Sequence, residues 1–125
     1  MFARSKDAVK AVNWGNGLSY RMLVASDGMG FTICHTVVHA GTKSRLEYRN
    51  HLEACYCIAG KGRVVSADGS ESHDIVPGTM YALNEHDAHF LIADPEADMH
   101  LISVFNPPLR GDERHNLEGD HFSNY

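Results

Sequence analysis

Histidine, glutamate and tyrosine are the residues of this chain best placed to do chemistry. Nine histidines occur in 125 residues. His51 and Glu53 lie two apart, so in an extended segment both side chains leave the same face. Tyr81 is followed closely by His86 and His89. Oxygen and nitrogen donors of these kinds, brought from separate strands into one interior, suit a divalent cation. Taken singly, each histidine is as well explained as a surface residue or a hydrogen-bonded core residue. Cys34, Cys55 and Cys57 make an odd set with no disulfide framework. Within a strand, Cys55 and Cys57 point to one face and read as small buried hydrophobes in a reducing compartment, the cytoplasm.

The elements that must hold these residues are short. Turn signals recur at Asn16-Gly17, Asp27-Gly28, Ala40-Gly41, Gly60-Lys61-Gly62, Asp68-Gly69, Pro77-Gly78, Asp94-Pro95 and Asn106-Pro107-Pro108. Between them, strands are predicted at 21–24, 31–39, 44–48, 53–59, 62–66, 71–76, 79–83, 88–92 and 99–105. Alternation of apolar and polar residues and the wealth of Val, Ile, Tyr and Phe support these strands. Strands this short and this evenly spaced indicate an antiparallel sandwich or barrel. One short helix is predicted at 5–12, where Ser5 can cap and Ala8, Val9 and Val12 share a face. The class is all-β with a small helical fringe, in one domain over residues 1–125.

Charge and hydropathy exclude several roles. The net charge is −5 and no basic run occurs, which argues against nucleic acid or an anionic membrane as partner. The longest uncharged stretch, 28–42, is too short to span a bilayer and is interrupted by Gly28, Gly30, His35 and His39. The opening MFARSKDAVKAV carries Asp7 and has no apolar core, so no signal peptide is expected.

Four blocks carry a resemblance. They are D-G-M-G-F at 27–31, Y-x-N-H-L-E-A-x-Y-C-I at 48–58, P-G-T-M-Y-A-L-x-x-H-D-x-H at 77–89, and V-F-N-P-P-L-x-G-x-E-x-H at 104–115. The stretch from Gly41 to Gly62 has the skeleton of a first cupin motif, opened by Gly41 and closed by Gly60, with Glu53 in the glutamate place and Glu47 and Arg49 in the two histidine places. The second motif has Tyr81 where most cupins have histidine. In this the chain resembles the ectoine synthase branch of the cupins, over about residues 14–115.

The resemblance implies a cupin jelly-roll barrel and a ring closure. The α-amine of N-γ-acetyl-2,4-diaminobutyrate attacks its own acetamide carbonyl, and loss of water gives the cyclic amidine ectoine. It also implies metal ligands at Glu53, Tyr81 and His89, with iron(II) or another divalent ion as cofactor. Substrate-side positions carry over to Trp14, Arg21, Thr36 and Phe105. Arg21 is expected to hold the substrate carboxylate and the two aromatic rings to order its aliphatic chain. Tyr48, Glu113 and His115 are the candidates for proton transfer, with Glu113 also placed to hold the ammonium. His51 and His86 are expected to support these groups from outside. A small-molecule substrate and a homodimer complete the implied partners.

The chain departs from the family pattern at Glu47, where histidine is usual, and at Ser103, a pocket position often held by cysteine. The spacing between Trp14 and Arg21 and the short polar tail after His115 also differ. Two alternatives stay open on the residues alone: a cupin acting on a related N-acylated diamino acid, and a non-catalytic cupin that binds a metal or small ligand.

Overall fold

The computed structural model describes residues 1–113. Its ten strands are β1 (Ala11–Asn13), β2 (Gly17–Leu23), β3 (Thr32–Val38), β4 (Lys43–Leu46), β5 (Leu52–Ala59), β6 (Gly62–Ser66), β7 (Ser72–Ile75), β8 (Met80–Leu83), β9 (His89–Ala93) and β10 (Met99–Asn106). They form a six-stranded sheet in the order β1-β2-β3-β10-β5-β8 and a four-stranded sheet in the order β4-β9-β6-β7. Every pairing is antiparallel. The expected all-β barrel is the observed one.

Alternation decides which side chains meet inside. Along β2 and β10 every second residue is buried, from Gly17 to Leu23 and from Met99 to Phe105. Val38, Cys57, Leu83, Met99 and Leu101 of the large sheet join Leu46, Val64, Ile75, Leu91 and Ala93 of the small one in a single apolar cluster. That cluster runs on through Trp14, Tyr48, Cys55, Tyr81 and Phe105 into the site described below. Burial of side chains this size stabilises the sheets by about 1.5–3 kcal/mol each.

The helix predicted at 5–12 is a single 3-10 turn at Lys6–Ala8. Ser5 does cap it, accepting from the Asp7 amide at 3.3 Å. The rest of the segment leaves helical geometry because Val12 has a better use: in β1 it pairs with Ser19 and buries its side chain, with Ala11 and Asn13 on the exposed side. Its spacing from Val9, read as a helical face, is overruled by the sheet edge it completes. A second 3-10 turn, Ala25–Asp27, follows β2 and was not expected from the pattern.

Two glycines are dictated by close approach. A Cβ on Gly17 would stand 1.8 Å from the Val37 carbonyl oxygen and 3.1 Å from Trp14 Nε1. A Cβ on Gly60, at φ +75°, would stand 2.4 Å from the Asp98 carbonyl oxygen. The first lets Trp14 reach Val37; the second closes the β5–β6 turn.

Candidate active site and metal centre

β5 and β8 run side by side and carry the central chemistry. Glu53 pairs with Leu83, and Cys55 pairs with Tyr81, all with side chains buried in the barrel. Glu53, Cys55, Tyr81, Tyr48, Thr36 and Ser103 line an interior cavity of about 20 Å³, with Trp14 and Phe105 among its walls. That is room for about one water molecule. A wider cleft of about 670 Å³ opens between β7 and β8 and reaches Tyr81 and His89 from the other side.

The electrostatics of this interior follow from burial. Removal from water pushes the Glu53 carboxyl up to about 7, against the pull of hydrogen bonds from Cys55 and Tyr48 and the positive charge of Arg21. Burial likewise pushes the Tyr81 phenol well above its ordinary value, with Cys55 and Glu53 adding to the rise. The Cys55 thiol is raised for the same reason and stays neutral.

His89 is held with one nitrogen spent and one available. Its Nδ1–H donates to the Asp87 carbonyl at 2.9 Å, which leaves the lone pair on Nε2. Nε2 is buried and has no hydrogen-bond partner, and burial lowers the proton affinity of the ring. The ring sits 5.8 Å from that of Tyr48. A buried imidazole lone pair without a partner is costly unless something accepts it, and a cation does so. Among the described residues no three His, Cys, Asp or Glu side chains gather as a metal-binding group; Tyr81 adds an oxygen donor to the same interior. One carboxylate, one phenolate and one imidazole form a hard-to-borderline donor set that fits a divalent first-row ion.

The substrate-side residues fall into two groups. Trp14, Thr36, Tyr48 and Phe105 line the same cavity as Glu53 and Tyr81. Trp14 donates from Nε1 to the Val37 carbonyl at 3.1 Å, and Phe105 packs edge-on against Tyr48, ring centroids 5.5 Å apart. Arg21 is buried beside the cavity, where its guanidinium donates to the Glu113 carbonyl and lies 4.0 Å from Cys34 Sγ. The Glu113 carboxylate is turned onto its own loop, accepting from the amides of Arg110 and Gly111, both at 2.9 Å. Burial alone would raise its pKa; those amides together hold it below the ordinary value. The loop itself folds back over the barrel through Leu109, whose amide donates to Thr32 Oγ1 at 2.8 Å and whose carbonyl accepts from Ala25 at 2.7 Å. His115 lies outside the described residues.

His86, at φ 56°, donates from Nδ1 to the Tyr48 carbonyl at 2.8 Å and so fixes that strand end. His51 is buried against the Phe105 ring. The two cupin histidine places are used otherwise: Glu47 Oε2 accepts from Arg49 Nε at 3.0 Å and Oε1 faces Arg45 at 3.7 Å, in a partly exposed ion-pair group. Ser103 lies in the cavity as its pocket position implied. Cys55 was read only as a small buried hydrophobe; the signal available for it was its place two residues from Glu53 on the same strand face.

Comparison with known proteins bears on the family and the fold. The family model described as ectoine synthase matches residues 2–124. An L-ectoine synthase from Desulfatibacillum aliphaticivorans is 49% identical over 105 residues, covering 84% of this chain and 79% of that protein. The crystal structure of an ectoine synthase from P. lautus superposes with a TM-score of 0.82 at 38% identity, covering 89% of this chain and 81% of that one. The cupin domain of Schizosaccharomyces pombe Cnp3 shares the fold alone, with a TM-score of 0.68 at 8% identity, over 84% of this chain and 73% of that one. Matched by that family model over nearly its whole length and by a relative at 49% identity, the chain belongs to the ectoine synthase family.

Proposed function

We infer that this protein is a hydro-lyase that closes N-γ-acetyl-2,4-diaminobutyrate to ectoine. The α-nitrogen bonds to the acetamide carbon, and the carbonyl oxygen departs as water. The observation that carries this reading is the polar interior pocket where Glu53, Tyr48 and Tyr81 meet, with Arg21 buried beside it. Glu53, Tyr81 and His89 would hold a divalent cation, which we propose is iron(II). Bound there, it supplies Lewis acidity to the amide oxygen.

The chain's own residues do the rest. Trp14 and Phe105 wall the cavity and restrict the aliphatic chain, so that nitrogen and carbonyl carbon meet at attack distance. Arg21, held beside the cavity by the Glu113 carbonyl, offers its charge to the substrate carboxylate. Tyr48 donates its hydroxyl proton to the Glu53 carboxylate. This contact gives it a route for accepting and returning the protons that leave the ammonium and join the departing oxygen. The apolar walls limit the water beside the reacting groups, which slows hydrolysis of the amidine.

Purified protein loaded with ferrous ion without oxygen should convert the acetylated diamino acid to ectoine, read by NMR. Absence of product under those conditions overturns the assignment. Reconstituting the metal-free protein with a series of divalent ions identifies the metal.

We further propose that the protein acts as a homodimer through the outer face of the six-stranded sheet. Leu52, Tyr56 and Ile58 of β5, Met80 of β8 and Val104 of β10 are exposed there on adjacent strands, with Tyr56 directly beside Met80. Apolar side chains that form a contiguous exposed patch favour a self-complementary partner. Sedimentation should give twice the monomer mass. The three buried free thiols suit the reducing cytoplasm as its place of action.

A further inference from the structure

Both cysteines of the C-x-C point inward, but into different surroundings. Cys57 sits among apolar groups, its thiol 3.4 Å from the Ala59 carbonyl oxygen and 3.7 Å from that of Gly60. Cys55 stands on the cavity wall, directly opposite Ser103 of β10 on one side and Tyr81 of β8 on the other. Its Sγ lies 3.4 Å from Ser103 Oγ, and Ser103 Oγ lies 2.9 Å from Thr36 Oγ1. Glu53, two residues before Cys55 on the same strand face, and Tyr81, its register partner, share that cavity wall and its electrostatics. Four neighbouring strands therefore contribute to one polar row: Thr36 from β3, Ser103 from β10, Glu53 and Cys55 from β5 and Tyr81 from β8.

We propose that Cys55 is a positioning residue: its thiol joins Glu53, Tyr81 and the Ser103–Thr36 pair into one hydrogen-bonded chain that sets the angle between the carboxyl and the phenol. Valence supports the assignment. A thiol has one proton to give and lone pairs to accept with. On this assignment, in the metal-free protein, the S–H donates to the Glu53 carboxylate, while the hydroxyls of Tyr81, its register partner, and of Ser103, 3.4 Å away, donate to the sulfur. All three demands are met by one atom, and an apolar side chain of similar size meets none of them. Unsupported, two buried oxygens of this kind adopt several orientations; supported, they adopt one, as outer partners of metal-site and catalytic groups do.

This inference rests on Glu53 and Tyr81 as working groups of the proposed function, so its test has an arm that needs no metal and no turnover. The S–H stretching band of Cys55, identified by its loss in Cys55→Ser, should lie at lower frequency than that of a free thiol. It should shift when Glu53→Gln alters the acceptor and again in Ser103→Ala. A band indifferent to Glu53→Gln overturns the proposal. In the second arm, Cys55→Ala should weaken ferrous-ion affinity, measured by chelator competition, and lower kcat by about 10–100-fold. KM should change much less. Cys55→Ser, which keeps the donor and acceptors, should restore most of both. Full kcat and metal affinity in Cys55→Ala, or a Cys55→Ser protein equally folded but as impaired as the alanine variant, overturns it as well. If the wild-type protein takes up no divalent ion, the metal reading fails, and the infrared band still decides the role of Cys55.

Discussion

The two faces of the six-stranded sheet invert the usual distribution of side chains. Its inner face, which should be the driest part of the molecule, carries buried Arg21, Glu53, Tyr81 and Ser103. Its outer face, which meets solvent in the single chain, carries Tyr56 at 48% exposure and Met80 at 60%, with Ile58 and Val104 beside them. A buried carboxyl is costly unless hydrogen bonds or a cation offset the loss of water. An exposed apolar row is unfavourable unless another surface covers it. The same strands answer both demands because successive residues alternate between faces: Glu53, Cys55 and Cys57 go in as Ala54, Tyr56 and Ile58 go out. The inversion is the pattern expected of the proposed chemistry on one side and the proposed partner on the other.

That contrast can be broken most sharply from inside. Tyr81→Phe removes one oxygen without changing the packing volume, and it should reduce retained metal and kcat by more than the about 100-fold upper range for loss of an outer hydrogen-bond partner. Its thermal midpoint should stay close to wild type. Unchanged iron loading would remove Tyr81 from the ligand set. Gly17→Ala strains the same interior at its edge: the added methyl meets the Val37 carbonyl. It should cost about 2–3 kcal/mol, read as a lowered denaturation midpoint together with altered Trp14 fluorescence. On the outer face, Tyr56→Glu places a charge in the patch and should weaken self-association by at least about tenfold, the effect of about 1.4 kcal/mol. Its monomer should still bind metal, since Tyr56 points away from the cavity. The smallest effect is expected from Glu47→Ala. The ion pairs of Glu47 with Arg45 and Arg49 are partly exposed, so stability should change by no more than about 0.5–1 kcal/mol and metal content should not change. A loss of metal in Glu47→Ala would return that position to the site.

Most strands were legible because alternation is a local property: 62–66 is observed as predicted, and the other expected strands agree within a few residues at their ends. The start of β2 at Gly17 and all of β1 were missed for a common reason. Gly17 and Trp14 look like loop residues until the Val37 carbonyl is known to lie against them, and Val12 is a strand residue only because β2 is there to pair with it. At the site, Tyr48, Glu53 and Tyr81 were identified through the blocks and share the cavity. For Glu113, the sequence named a charge; only the folded loop shows that its carboxylate is held by the Arg110 and Gly111 amides while its carbonyl meets Arg21.

By itself, then, the order of residues was sufficient for the class of fold, the faces of the strands and the types of donor available, since each depends on neighbours two to four positions away. The tertiary structure alone decided which donors meet. Cys55 and Ser103 stand 48 positions apart, and their contact depends on how β10 inserts between β3 and β5. That insertion turned a residue readable as a small hydrophobe into the joint between a carboxyl and a phenol, because hydrogen bonding is set by distance in space and not along the chain.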